Sequence, residues 1–196
     1  MFIYVEDPSG SFYYIHMRDL RTYINEGIFD IEDNIQNIDK QIKKEIRKFI
    51  HENFRGVSSC KISSKPNKDG KYEVSSTGTI EIANRDIKAL TNGLFVWKKV
   101  DGSFTCNSCE KLKSLEGAPR IVGKDFVCQF DTSLTSFEGA PNEIGRTFNA
   151  MFCSSLISLK GSPSIVGNSY ACSHSGKKFT ESDIRKVCNV AGQIYV

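Results

Sequence analysis

The chain has 196 residues, 39% of them apolar and 25% charged, an ordinary globular composition that argues against wholesale disorder. Its formal net charge of +3 is too small to point by itself to nucleic acid or to an anionic membrane. No apolar run approaches the roughly 18 residues that a membrane-spanning helix needs.

The first stretch, "FIYV" and "SFYYIH" around "EDPSG", reads as a β-hairpin, because Asp-Pro-Ser-Gly is strong turn chemistry between two strand-like runs. It has an acidic residue early and no basic start, so the expectation is that it is no signal peptide. A short helix is predicted over about 17 to 25. From Asp30, a fitting N-cap, Ile31, Ile35, Ile38, Ile42, Ile46, Phe49 and Ile50 recur at helical spacing, which predicts one amphipathic helix to about residue 54. Lys40, Lys43, Lys44, Arg47, Lys48 and His51 fall on the arc opposite the isoleucines. Residues 57 to 78 are expected to form two strands around Pro-Asn-Lys-Asp-Gly.

From residue 79 the chain repeats itself at an interval of 22: "SLEGAPRIVG" at Ser114, "SFEGAPNEIG" at Ser136 and "SLKGSPSIVG" at Ser158. The columns are chemically coherent. Phe104, Phe126, Phe148 and Tyr170 form one, and Cys106, Cys128, Ala150 and Cys172 the next. Cys109, Asp131 and Cys153 follow, then the columns headed by Leu112, Leu115, Gly117, Pro119, Val122 and Gly123. A fixed period of this size marks a solenoid, whose units bury their apolar faces only by stacking. An earlier unit fits through Ile80, Ile82, Ile87, Leu90 and Gly93, which makes about four coils. In each unit Phe-x-Cys alternates with period 2 and should be a short strand with both side chains inward. The Gly and Pro of "EGAP" suit a return too tight for a helix, so that side is expected to be irregular. Beyond "SHSGKK", Phe179, Thr180, Asp183 and Ile184 fit a capping box with a hydrophobic staple. They predict a helix over about 181 to 189, followed by the strand "QIYV", as the cap that a solenoid end requires.

The fold class is therefore α+β: an N-terminal hairpin-plus-helix α/β domain (1–56), connecting strands (57–78), a short solenoid (79–175) and a helical C-terminal cap (176–196). Seven cysteines without a secretory signal are expected to be reduced thiols in a cytoplasmic setting.

Four features bear on chemistry. Cys106 and Cys109 form a single C-x-x-C, but zinc or redox chemistry would need a second ligand pair or a βαβ setting. Their places in the repeat account for both as buried structural residues. Cys172 and His174 could suggest a thiol and its base, yet alternation and the buried column of Cys172 argue against it, and no orienting third residue is apparent. No nucleotide-binding or zinc-protease motif occurs, so neither catalytic residues nor a metal or other cofactor is expected. The helix arc of Lys40, Lys43, Lys44, Arg47 and Lys48 could meet phosphates, though Asp39, Glu45 and Glu52 dilute it.

The strongest signal is what the repeats leave on the open side. Thr105, Val127, Asn149 and Ala171 make one row; Asn107, Gln129, Met151 and Ser173 the next; Ser108, Phe130, Phe152 and His174 a third. These rows vary in chemistry from coil to coil. Val127, Gln129, Phe130, Asn149, Met151 and Phe152 are the candidate protein-binding residues, since aromatic residues and Met are enriched in interface cores.

The order L-x-L-x-x-(N/C)-x-x-L-x-x-L resembles the leucine-rich repeat, and the "SLEGAP" returns resemble repeat proteins encoded by tailed bacteriophages. The resemblance covers residues 79 to about 175. It implies that Cys109, Asp131 and Cys153 bond the backbone of a neighbouring loop. It further implies a cytoplasmic accessory factor that binds and inhibits or redirects a host bacterial protein. One concrete version is an inhibitor of a defence-system toxin such as a DNA-targeting ADP-ribosyltransferase. The alternative is a nucleic-acid-binding regulatory protein that uses the basic helix arc.

Overall fold

The computed structural model describes residues 2–6, 12–16 and 31–196, with side chains described from residue 36 onward. The chain divides into two compact units, Met1–Arg47 and Lys48–Val196. In the first, β1 (Phe2–Glu6) and β2 (Phe12–His16) pair antiparallel from Phe2 opposite His16 to Glu6 opposite Phe12, the expected hairpin. The helix predicted over 17 to 25 lies outside the described residues. Helix α1 spans Ile31–Asn53, within one residue of the periodicity-based bounds at each end. Its Ile38, Ile42, Ile46 and Ile50 are all buried.

The second unit is a β-solenoid with a coil spacing of about 22 residues. Along one side run β3 (Phe54–Arg55), β6 (Ile80–Ile82), β8 (Phe104–Thr105), β10 (Phe126–Val127), β12 (Phe148–Asn149), β14 (Tyr170–Ala171) and β16 (Ile194–Tyr195). They form a seven-stranded sheet, parallel except for the antiparallel β3 at its N-terminal edge. Along the other run β4 (Cys60–Ile62), β5 (Tyr72–Ser76), β7 (Phe95–Val100), β9 (Ile121–Val122), β11 (Glu143–Ile144), β13 (Ile165–Val166) and β15 (Asn189–Val190). These make a second seven-stranded sheet, antiparallel only between β4 and β5.

The return path is thus free of helix, as expected, but it is not irregular. Each "IVG" or "EIG" lays down a two-residue strand, with one residue turned out and the next inward: Ile121, Glu143 and Ile165 exposed, Val122, Ile144 and Val166 buried. The sheets also extend the solenoid beyond the four repeats visible in the sequence. The strands of 57–78 belong to the second sheet; β7 meets β9 on the 22-residue period, Val100 opposite Val122, whereas β15 joins the same ladder off it, Asn189 opposite Ile165.

The inward columns form the core. Phe104, Phe126 and Phe148 stack at 5.7 and 5.9 Å with interplanar angles of 4° and 12°, and Tyr170 follows Phe148 at 4.8 Å. Toward the N-terminal end, Phe54 and Trp97 meet Phe104 at 6.0 and 5.9 Å. Trp97 satisfies its buried indole N–H on the Leu90 carbonyl at 3.2 Å, as an apolar interior demands. Coil-to-coil backbone bonds hold the register, among them Cys106 N–H to Val127 O, Cys128 N–H to Asn149 O and Ala150 N–H to Ala171 O, all 2.8 Å.

Two glycine columns show why the coils can approach so closely. A Cβ on Gly145 would lie 2.1 Å from the Gly123 carbonyl oxygen, and one on Gly167 would lie 2.2 Å from that of Gly145. Only hydrogen fits between the coils there. Gly139 of "EGAP" takes φ +86°, with the Glu116 backbone nitrogen 2.2 Å from where a Cβ would be.

The last turn of α1 and the chain after it close the N-terminal end of the second unit. Phe49 meets Phe54 and Phe95 at 6.3 and 6.0 Å, and Asn53 accepts from Ala83 N–H at 2.8 Å and from the Asn84 amide at 2.9 Å. The C-terminal end carries α2 (Glu181–Val187). Its capping box is the one predicted: Asp183 N–H donates to Thr180 Oγ1 at 3.2 Å, and Thr180 N–H donates to Asp183 Oδ2 at 3.0 Å. The staple residues Phe179 and Ile184 are both buried. The helix ends two residues before the expected bound, because Asn189–Val190 turns into β15.

Candidate functional site

The three outward rows are real rows. Parallel pairing sets Thr105, Val127, Asn149 and Ala171 in register across β8, β10, β12 and β14. At the end of each strand the next residues are fixed by the coil after them: Ser108 N–H donates to Gln129 O at 2.9 Å, Phe130 N–H to Met151 O at 3.1 Å and Phe152 N–H to Ser173 O at 3.0 Å.

The third row is the most distinctive. Phe130 and Phe152 stack at 4.8 Å with an interplanar angle of 2°, and Phe152 and His174 at 4.5 Å and 20°. Phe130 is 47% exposed, Phe152 half-buried and His174 exposed. The result is a three-ring ladder on the surface, parallel to the buried Phe104–Phe126–Phe148 stack.

The backbone beneath the ladder is unusual in the same place on every coil. Ser108, Phe130, Phe152 and His174 have φ of 56°, 59°, 62° and 59°. The left-handed region costs a non-glycine residue roughly 1–2 kcal/mol, and bulky side chains enter it rarely. Glycine or asparagine would sit there cheaply, yet two coils hold Phe. Residue identity gave no hint of this geometry, since Phe signals strand and not a left-handed turn.

The other predicted site residues divide. Val127, Gln129 and Met151 are half-buried and border the ladder's row. Asn149 is half-buried as well, but its Oδ1 accepts from Met151 N–H at 3.2 Å, and Asn107 Oδ1 likewise takes Gln129 N–H at 3.0 Å. These amides are thus committed to shaping the turn. Ala171, expected on the open side, is only 4% exposed, so the first row ends at Asn149.

Beneath the ladder lies the Cys109, Asp131 and Cys153 column. Asp131 is fully buried; its Oδ1 accepts from Cys109 N–H at 2.6 Å, and its Oδ2 has no hydrogen-bond partner. Burial pushes its carboxyl up to about 7, against the pull of the Cys109 N–H and of Arg85. Cys153 Sγ donates to Cys128 O at 3.1 Å. Both residues thus bond the backbone of the preceding coil, whereas Cys109 Sγ reaches Asn107 O of its own coil at 3.5 Å.

All seven cysteines are free thiols. Burial, reinforced by the Asp131 charge, pushes the Cys109 thiol up to about 12. Burial does the same to Cys172, so thiolate chemistry is suppressed at both. Cys172 is buried while His174 is exposed and stacked on Phe152. Among the described residues no group of three or more His, Cys, Asp or Glu could hold a metal ion, and no helix is long and apolar enough to cross a membrane.

On α1, Lys40, Lys44, Arg47 and Lys48 are exposed. Lys43 is not available in the same way: it is half-buried and its ammonium lies 2.7 Å from Asp39 Oδ2. Comparison with protein-family models, curated proteins and solved structures finds no match.

Proposed function

We propose that the protein is a non-enzymatic interaction module that binds a protein partner through the row of Phe130, Phe152 and His174 and the bordering Val127, Gln129 and Met151. The observation that carries this reading is the exposed aromatic ladder mounted on left-handed backbone. Strained positions retained with bulky side chains point to a use for those side chains, and an aromatic patch rimmed by uncharged polar groups has the make-up of an interface core. The ladder is short of charge, so the partner is read as one that presents apolar side chains. The resemblance to phage repeat proteins supports taking that partner to be a bacterial protein, with a defence-system toxin as one concrete target.

The test compares wild type with the Phe130→Ser, Phe152→Ser double variant as bait in bacterial lysate. One protein should be captured in stoichiometric amount by the wild type. Once purified, it should bind the double variant at least about tenfold more weakly by calorimetry, since interface aromatics commonly carry more than 1 kcal/mol each. Equal binding of both, or capture of nucleic acid alone that is lost on reversing Lys40, Lys44, Arg47 and Lys48 to Glu, sinks the reading.

A further inference from the structure

At the C-terminal end of the aromatic ladder the surface opens into a cavity of about 370 Å³, lined by Ser173, His174, Lys177, Lys178, Phe179 and Val196 among others. The last coil lengthens to a 24-residue step, Tyr170 opposite Ile194 and Ala171 opposite Tyr195, and among the described residues the ring stacked on His174 is that of Phe152. His174 itself is exposed.

Two lysines line the cavity. Among the described residues neither Lys177 nor Lys178 takes part in an ion pair. Lys177 Nζ lies 5.7 Å from the centroid of the Phe179 ring. The acidic residues that follow are already engaged: Glu181 by Arg185 at 2.7 Å, Asp183 by Thr180 and Lys186. The cavity therefore combines the exposed ring of His174, the apolar side chain of Phe179 and two lysines outside any ion pair among the described residues.

We infer that this cavity binds a small planar aromatic molecule that carries an anionic group, its ring continuing the stack on His174 and its charge lying between Lys177 and Lys178. The volume falls within the range of small-ligand pockets and is too small for a folded segment. Ring stacking and charge pairing are each weak at a surface, roughly 0.5–1.5 and 0–1 kcal/mol, so a ligand that offers only one of them gains little. Two sources supply both: a nucleoside monophosphate and an aryl carboxylate. This goes beyond the protein-interaction reading and shares only His174 with it. Its test uses no protein partner, so either can fail alone.

The experiment is a nuclear magnetic resonance titration of the isotope-labelled full-length protein with four probes: adenosine monophosphate, indole-3-acetate, adenosine and inorganic phosphate. At least one of the two ring anions should shift the amides of residues 172–179 with a Kd of about 1 mM or tighter, and the tighter of the pair identifies the source. Adenosine and phosphate should each bind at least about tenfold more weakly. His174→Ala and Lys178→Glu, both at exposed positions, should each weaken the better probe about tenfold while leaving the unfolding midpoint in place. Phosphate alone binding as well as adenosine monophosphate would reduce the site to a plain anion patch and overturn the inference. So would the lack of any shift up to about 10 mM of either ring anion, or unchanged affinity in both variants.

Discussion

Replacing Asp131 with Asn should make the protein more stable at neutral and alkaline pH and remove most of its pH dependence between pH 4 and pH 7. The wild-type carboxyl is fully buried with one oxygen unpaired and is pushed from an ordinary 3.8 up to about 7. Below pH 4 it is protonated in folded and unfolded chains alike and contributes nothing to the difference. As pH rises from 4 to 7 the unfolded chain releases the proton while the folded chain keeps it, so unfolding gains about 1.4 kcal/mol per pH unit. Above pH 7 the loss levels off, on the order of 4 kcal/mol for a gap of about three units. Asparagine keeps an acceptor for the Cys109 N–H and cannot ionise, but its amide N–H₂ meets the same partnerless space, at a cost of about 1–3 kcal/mol that protonated Asp131 also bears in part. Urea titrations from pH 4.5 to 8.5, followed by fluorescence of the single tryptophan, buried Trp97, should show the two proteins within about 1 kcal/mol at the acid end. The variant should be ahead by about 2–4 kcal/mol at the alkaline end. The other titrating groups are common to both, so the difference isolates Asp131. Parallel stability curves across the whole window would refute the reasoning.

Three further outcomes are expected. Phe152→Gly should change stability by no more than about 2 kcal/mol in denaturant titrations, because relief of the left-handed residue offsets the loss of two ring contacts; it should nonetheless abolish partner capture. A loss above about 4 kcal/mol would make the ladder a structural device. Gly145→Ala would place a Cβ 2.1 Å from the Gly123 carbonyl oxygen and should cost about 3 kcal/mol or more, read as a lowered urea midpoint, whereas alanine at exposed Asn142 should cost little. Thr180→Ala should lower stability by about 1 kcal/mol. Because the Thr180 side chain holds the Asp183 carboxyl below 3.8, a carboxyl-detected titration of this variant should find Asp183 moved up toward that value.

The repeat itself was legible because stacking demands the same side chain at the same place on successive coils. That is why Phe104, Phe126 and Phe148 stand in one column of the sequence and one stack in space. The capping box at Thr180 was legible for a similar reason, since its two bonds need two residue types at a fixed separation. The second sheet was not. A strand of two residues with only its second side chain inward, as in Ile121–Val122, is too short for alternation to show. β15 was hidden because Asn189 faces Ile165 off the period, and β7 because Phe95–Val100 carries none of the "EGAP" chemistry that marks the later returns. Of the site, the rows could be read from the column positions, but the left-handed turns could not, since nothing about Phe or His announces that conformation. The orphaned oxygen of Asp131 was hidden as well, because it depends on how completely the neighbouring coils close over it.

The two ring stacks answer to different constraints. In the buried stack the aromatic column runs through every full repeat, from Phe104 to Tyr170, because a gap there would leave a void that the coils cannot close. The surface column reads Ser108, Phe130, Phe152 and His174, and Ser108 shows that a coil forms the same left-handed turn at φ 56° without any ring. The turn therefore does not require the aromatic side chain, and the side chain gains nothing from the turn except its place in the row. Stacking of the rings on one another offsets part of the cost of the left-handed backbone, and the partner proposed for Phe130 and Phe152 would account for the rest.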